Sequence, residues 1–355
     1  MKTSFISNLA VTNAMRQTIN QVQGELVDSQ KEVVSGRYNN LGEVLGGATS
    51  RSLNLHRDVS MMDNILNTNS IVTQRLSSTQ MAMETISNAA QTGLNTLVAL
   101  VGSTDQTQLT TAKQTMSDVI DQFTDAANTS VNGEYVLAGV NTDQKPMGDY
   151  LSDETGARTA FSTEFQNFFG FSQDDPAAAS IDATQMQDFL TNVVEPMFLD
   201  PTSSNYVWNS NWSKADDAPM TSRISKAEVV PTSASLNAEG FRYLAMGAVI
   251  GIEVLNIPFS AETRSVVSKA AINYMGQAIN GVDQERTQLG LSENRVKQAN
   301  NTLQAQVDIV KLNLDDLEGV DVYEASTRIT ALTNQMEISY NLTARISQLS
   351  LVNSL

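Results

Sequence analysis

Hydrophobic residues at both ends of the chain recur at alternating spacings of three and four, the interval that lays side chains along one stripe of an α-helix. Near the start, Met15, Ile19, Val22, Leu26 and Val33 share such a stripe. A longer one carries Leu55, Val59, Met62, Leu66, Leu76, Met83, Ala90, Leu94, Leu97 and Val101, joined in the same register by Asn69, Thr73, Gln80 and Ser87. At about 1.5 Å per residue it predicts a rod of roughly 75 Å. Leu109, Met116, Ile120, Phe123 and Ala127 mark a third helix. On the far side, Ile272, Met275, Ile279, Val282, Leu289, Val296, Leu303, Val307, Val310, Leu314 and Leu317 form the partner stripe, which admits Arg286, Glu293 and Asn300. Glycine costs a helix about 1 kcal/mol, so a bend is expected at Gly319. A last helix then presents Ile329, Leu332, Met336, Ile346 and Leu349.

All seven prolines fall between Pro146 and Pro258. Proline removes a backbone donor and clashes with the preceding turn, so the flanks, 1–145 and 259–355, are free to be helical while the middle is not. Both tryptophans and the run Phe165, Phe168, Phe169 and Phe171 lie in that middle stretch. The expected fold is mainly α: a long antiparallel coiled-coil bundle of the N- and C-terminal arms, with an inserted mixed α/β or β-containing domain. Three divisions follow: 1–45 with 320–355 as terminal helices, 46–145 with 259–319 as the rod, and 146–258 as the insert.

A narrow apolar stripe must be covered, since each buried aliphatic side chain contributes about 1.5–3 kcal/mol. Pairing the two arms covers the rod. The terminal helices, roughly 1–36 and 322–355, bury too little to offset an ordering cost of about 1–2 kcal/mol per residue. They are expected to be disordered in a free monomer and to fold against neighbouring subunits. The alternative is a frayed pair docked on its own chain.

Composition narrows the partners. With 22 Lys and Arg against 39 Asp and Glu, a net charge of -17 disfavours nucleic acid and anionic membranes. No cysteine is present, which excludes disulfides and thiolate metal sites. The opening residues Met1-Lys2-Thr3-Ser4-Phe5-Ile6 lack the apolar run of a cleavable signal peptide. The most apolar stretch, Leu244 to Ile252, is about half the roughly 20 residues a membrane span needs, and Glu253 and Pro258 follow it. A buried helix or strand is expected there.

Candidate chemistry is sparse. His56, the only histidine, sits beside Arg57 and Asp58 and reads as a solvent-facing helix residue, since one imidazole without cysteine makes no typical zinc site. The acidic pairs Asp174-Asp175, Asp216-Asp217 and Asp315-Asp316 lack the alternation of a calcium loop. Gly42, Gly46 and Gly47 are followed by no Gly-Lys-Ser/Thr and read as a flexible turn. No catalytic set, cofactor site or metal site is expected, and the chain reads as a structural subunit, not an enzyme.

Three segments carry a family likeness: Ser35-Gly36-Arg37 after the first helix, Asn132-Gly133-Glu134-Tyr135-Val136-Leu137-Ala138-Gly139-Val140-Asn141-Thr142, and the end from Gln335 to Leu355 with Leu349-Ser350-Leu351. Together they resemble the flagellin-like family, and the second in particular its hook-associated junction members of the FlgL type. Leu137 stands where that pattern usually has an aromatic, and Asn39-Asn40-Leu41-Gly42 replaces an Asp-Asp-Pro-type turn. The resemblance implies an extracellular subunit of the hook-filament junction, exported unfolded through the flagellar type III apparatus. Its terminal helices would line the central channel, its rod the next layer, and its middle domain would face outward. Implied partners are a ring of identical subunits, the second junction protein FlgK, flagellin, and an export chaperone on the C-terminal helix. The assembly interface is expected at Met15, Ile19, Val22, Leu26, Val33, Ile329, Leu332, Met336, Ile346 and Leu349. Two other readings stand beside it: flagellin itself, and a secreted surface-binding protein that uses Trp208 and Trp212.

Overall fold

The computed structural model describes the backbone of residues 8–352 apart from Thr104, and the side chains of 10–345 apart from Thr12 and Thr104. The chain divides into two units, residues 1–64 with 302–355 and residues 65–301. Two long helices, α3 (Thr49–Ala99) and α9 (Ala261–Glu318), contribute to both.

The first unit holds α1 (Asn8–Ser35), α2 (Leu41–Leu45), the start of α3, the end of α9 and α10 (Val322–Val352). α1 packs against α10. It ends where Gly36 takes a left-handed φ of 70° and returns its N–H to the Glu32 carbonyl at 2.8 Å, a terminus that favours glycine. The expected break at Gly319 is present. A side chain there would collide with the Asp315 carbonyl, to which the Gly319 N–H is bonded at 2.8 Å. Asp321 then caps α10 by accepting from the backbone N–H of Tyr323 at 2.8 Å. The glycine-bearing turn before α3 takes the form of α2 followed by a 3-10 turn over Gly46–Ala48.

The second unit is built on the rest of α3 and α9 with α4 (Gln106–Ala127) and α8 (Glu239–Glu253). Asp105 caps α4, accepting from Thr107 N at 2.8 Å. The stripe expected on α4 is buried throughout: Leu109, Met116, Ile120, Phe123 and Ala127. α8 settles the ambiguous apolar run as a helix, with Leu244 to Ile252 wholly buried and packed on α4. Gly240 on α8 and Gly281 on α9 let two backbones touch, since a Cβ on Gly240 would meet the Gly281 carbonyl carbon at 2.6 Å. Three polar positions of the α3 stripe bond to α9. Asn69 donates to Asn300 Oδ1 at 2.7 Å, Gln80 to the Arg286 carbonyl at 2.7 Å, and Ser87 to Asp283 Oδ1 at 3.3 Å. Two positions depart from the expected stripe. Thr73 is exposed, and Val101 is exposed because α3 stops at Ala99 before Gly102 turns the chain at φ 82°, leaving Leu100 to close the core.

Between α4 and α8 the chain forms a hairpin of β1 (Ser130–Val131) and β2 (Glu134–Tyr135), then α5 (Ala157–Phe169), α6 (Ala183–Phe189), a π-helical turn, α7 (Glu195–Leu199), and a second hairpin of β3 (Thr221–Arg223) and β4 (Val229–Pro231). The strands are two or three residues long, so aromatic packing holds this segment more than sheet pairing does. Phe165 and Phe189 meet edge to face at 5.4 Å, and Trp208 stacks on Trp212 at 5.8 Å.

Candidate self-assembly interface

In the first unit, the stripe expected on α1 faces α10 of the same chain. Ile19, Val22 and Leu332 are buried, while Met15, Leu26, Val33, Ile329 and Met336 are half-buried. The Thr343 hydroxyl reaches Met15 Sδ at 3.7 Å, and Gln23 donates to the Tyr340 hydroxyl at 2.8 Å. Ile346 and Leu349 lie outside the described side chains. The seam is thin, because among the described residues the other two buried positions on α1 are polar, Ser29 and Glu32.

What the periodicity missed is the apolar surface left outside the seam. Val34 is 89% exposed, Tyr323 83%, Ile338 66% and Leu312 65%; Val27, Leu53, Ile309, Tyr340 and Leu342 are also exposed. Large apolar side chains left open to water are candidates for a protein contact. The available signal was apolar residues out of register on otherwise polar helices, such as Val27 and Val34 seven positions apart on α1.

Ser35-Gly36-Arg37 forms half of a polar clasp. Tyr38 N bonds the Glu318 carbonyl at 2.9 Å, and Val320 N bonds the Gly36 carbonyl at 3.0 Å. The buried Glu318 carboxylate accepts from Ser52 Oγ at 2.5 Å and Arg37 Nη1 at 3.3 Å, and is bonded to His56 Nε2 at 2.8 Å. Arg37 also pairs with Asp315 at 2.9 Å. His56 is exposed on α3, as expected of a solvent-facing helix residue, and its ring also turns toward a buried acid 262 positions away. Burial pushes the Glu318 carboxyl up, but the hydrogen bonds from Ser52 and His56, with the charges of His56 and Arg37, hold it below the usual carboxylate range.

The Asn132 to Thr142 segment belongs to the second unit and is structural. Asn132 and Gly133 carry φ of 54° and 85°, as a two-residue hairpin turn of primed type demands. Arg75 pairs with Glu134 and donates to the Tyr135 carbonyl at 3.3 Å. Val136, Leu137 and Ala138 are wholly buried, and Leu236 N bonds the Leu137 carbonyl at 2.8 Å. Gly139, at φ 63°, sits where a side chain would strike the Asp216 carbonyl.

Trp208 and Trp212 are buried, with Trp208 Nε1 bonded to Asn237 at 2.9 Å, so the surface-binding reading loses its aromatic platform. Among the described residues no group of three or more His, Cys, Asp or Glu could hold a metal ion, and no helix is long and apolar enough to cross a membrane.

Residues 6–142 match the bacterial flagellin N-terminal helical region, and residues 272–355 match the bacterial flagellin C-terminal helical region. A search of curated proteins finds no sequence match. Among solved structures, one described as a flagellar hook-associated protein from Vibrio parahaemolyticus is similar, with a TM-score of 0.52 at 10% identity, covering 76% of this chain and 97% of that one. At that identity the likeness is one of fold. The two flagellin regions span more than half of the sequence, and they hold the long antiparallel helices and the clasp; this chain belongs to the flagellin-like family, as a structural, self-polymerising component of the flagellum.

Proposed function

We propose that this subunit is an adaptor of the FlgL type at the hook-filament junction, polymerising through its terminal helices. The observation that carries the assembly part is the apolar surface left open on α1, α3, α9 and α10 beside a thin α1–α10 seam. Neighbouring copies would complete that seam, so that the terminal pair, marginal alone, becomes ordered in the ring. The assembly set is then Met15, Ile19, Val22, Leu26, Val33, Ile329, Leu332, Met336, Ile346 and Leu349 within and between chains, extended by Val34, Tyr323 and Ile338. The junction assignment is supported by the Asn132 to Thr142 segment and by the likeness in fold to the Vibrio parahaemolyticus hook-associated protein. On this reading the chain works outside the cell, with FlgK, flagellin and an export chaperone as partners. The terminal helices, the rod and the 146–258 segment occupy the inner, middle and outer layers.

Immunogold labelling tests it. Label confined to one band between hook and filament is expected, and label along the whole filament would assign the chain to the bulk flagellin role instead. Cells lacking the protein should keep their hooks and shed their filaments.

A further inference from the structure

Within the 65–301 unit, the opening turns of α9 and the Val101–Ser103 bend after α3 enclose a cavity of about 130 Å³. Pockets for drug-sized ligands run to roughly 300–1,000 Å³, so this one suits an ion. Ala261, Ser265 and Ser268 recur at spacings of four and three and form its floor, and Arg264 and Lys269 flank that row on either side. Among the described residues that line it, two are cationic and none is acidic. Glu262, the acid of the same turns, is exposed and does not line the cavity.

Two buried groups here ask for an anion. Arg264 is 8% exposed, and no carboxylate pairs with it. Its Nη1 donates to the Ser103 carbonyl at 3.3 Å and its Nη2 to the Phe259 carbonyl at 3.4 Å, both long bonds to neutral oxygens, while its Nε has no acceptor. A buried cation without a counter-charge is costly. Ser268 is 4% exposed, and its hydroxyl has no hydrogen-bond partner in the protein. Elsewhere on the same helices Thr79 and Thr287 return theirs to the carbonyl four residues before, at 2.8 Å each. The Ser265 hydroxyl is likewise unpaired, and Lys269 is exposed with no ion-pair partner among the described residues.

We infer that this cavity binds a small, doubly charged oxyanion of the sulfate or phosphate class. Its oxygens accept from the Ser265 and Ser268 hydroxyls and from Lys269 Nζ, and its charge compensates the Arg264 guanidinium beside it. A tetrahedral dianion matches two hydroxyls and two cations at once, whereas a carboxylate brings two oxygens and a single charge. Held between the start of α9 and the bend after α3, the ion stabilises the folded unit by mass action. Nothing in this site depends on the junction assignment.

Isothermal titration of the full chain with sodium sulfate and with sodium phosphate tests the proposal, with sodium acetate and sodium chloride as controls at matched ionic strength. Saturable binding of both oxyanions, at least tenfold tighter than acetate or chloride, is expected. Lys269→Ala and Ser268→Ala should each weaken it about fivefold or more, and Lys311→Ala, outside the cavity, should not. Circular dichroism of each variant checks that it remains folded. Sulfate should also raise the melting temperature of the wild type more than that of Lys269→Ala, whereas a general salting effect raises both alike. No saturable binding, acetate as tight as sulfate, equal melting shifts, or binding indifferent to either cavity substitution in a folded protein would overturn the assignment.

Discussion

Glu318 buries a carboxylate among three donors drawn from the loop after α1 and from α3. Because the folded protein holds its pKa below the usual value, the group stabilises fully above that value. Its contribution is lost as pH falls through the lowered one. Urea unfolding of the wild type should therefore weaken from about pH 4.3 downward, and Glu318→Gln should lack that component. At neutral pH the same substitution should cost about 1–2 kcal/mol, less than a sealed ion pair would, because Arg37 and His56 are half-exposed and can rehydrate. None of this was legible from His56 and its neighbours, since the acid that His56 meets is distant in sequence. The break at Gly319 was legible because glycine marks a bend locally, whatever it packs against.

At the scale of elements, legibility follows length and period. α3, α4, α9 and the α1–α10 pair were readable because a repeat sustained over many turns has only one helical face to bury. Asn69, Gln80 and Ser87 of the α3 stripe were readable for the same reason, and Asn69 does meet Asn300, whereas Thr73 turned out exposed. α8 was ambiguous because it is apolar all round, which removes the periodic signal. α6 and α7, at seven and five residues, are too short to show a period, and they are held by aromatic contacts between distant positions. Helix packing also makes two glycines behave oppositely. Gly240→Ala would force a methyl into the backbone of α9 and should cost about 1–3 kcal/mol. Gly276→Ala, on the open side of α9, meets nothing within 4 Å and should gain up to about 1 kcal/mol. Denaturant midpoints of the two variants should move in opposite directions.

At the scale of the whole molecule, the assembly set read from the sequence and the surface left open in the structure are different residues, and substitutions separate their roles. Leu332→Asp places a charge in the buried α1–α10 seam and should loosen the pair within one chain, with a cost of several kcal/mol. Ile338→Asp, at an exposed position, should leave the monomer's circular dichroism and melting unchanged while abolishing polymer formation in sedimentation. Polymers of normal yield from Ile338→Asp would remove α10's outer face from the interface. Periodicity nominated only the first of these residues, because it identifies what a helix hides; the second stands out of register, a signal that the stripe itself does not carry. The stacked pair Trp208 and Trp212 brings a practical consequence. They are the chain's two indoles, and both lie in the 65–301 unit. Intrinsic emission should consequently register the melting of that unit alone, while far-ultraviolet ellipticity registers every helix. If the terminal helices uncoil first on heating, ellipticity will fall while the emission maximum stays blue, and a dye-free spectrometer can watch the two halves part company.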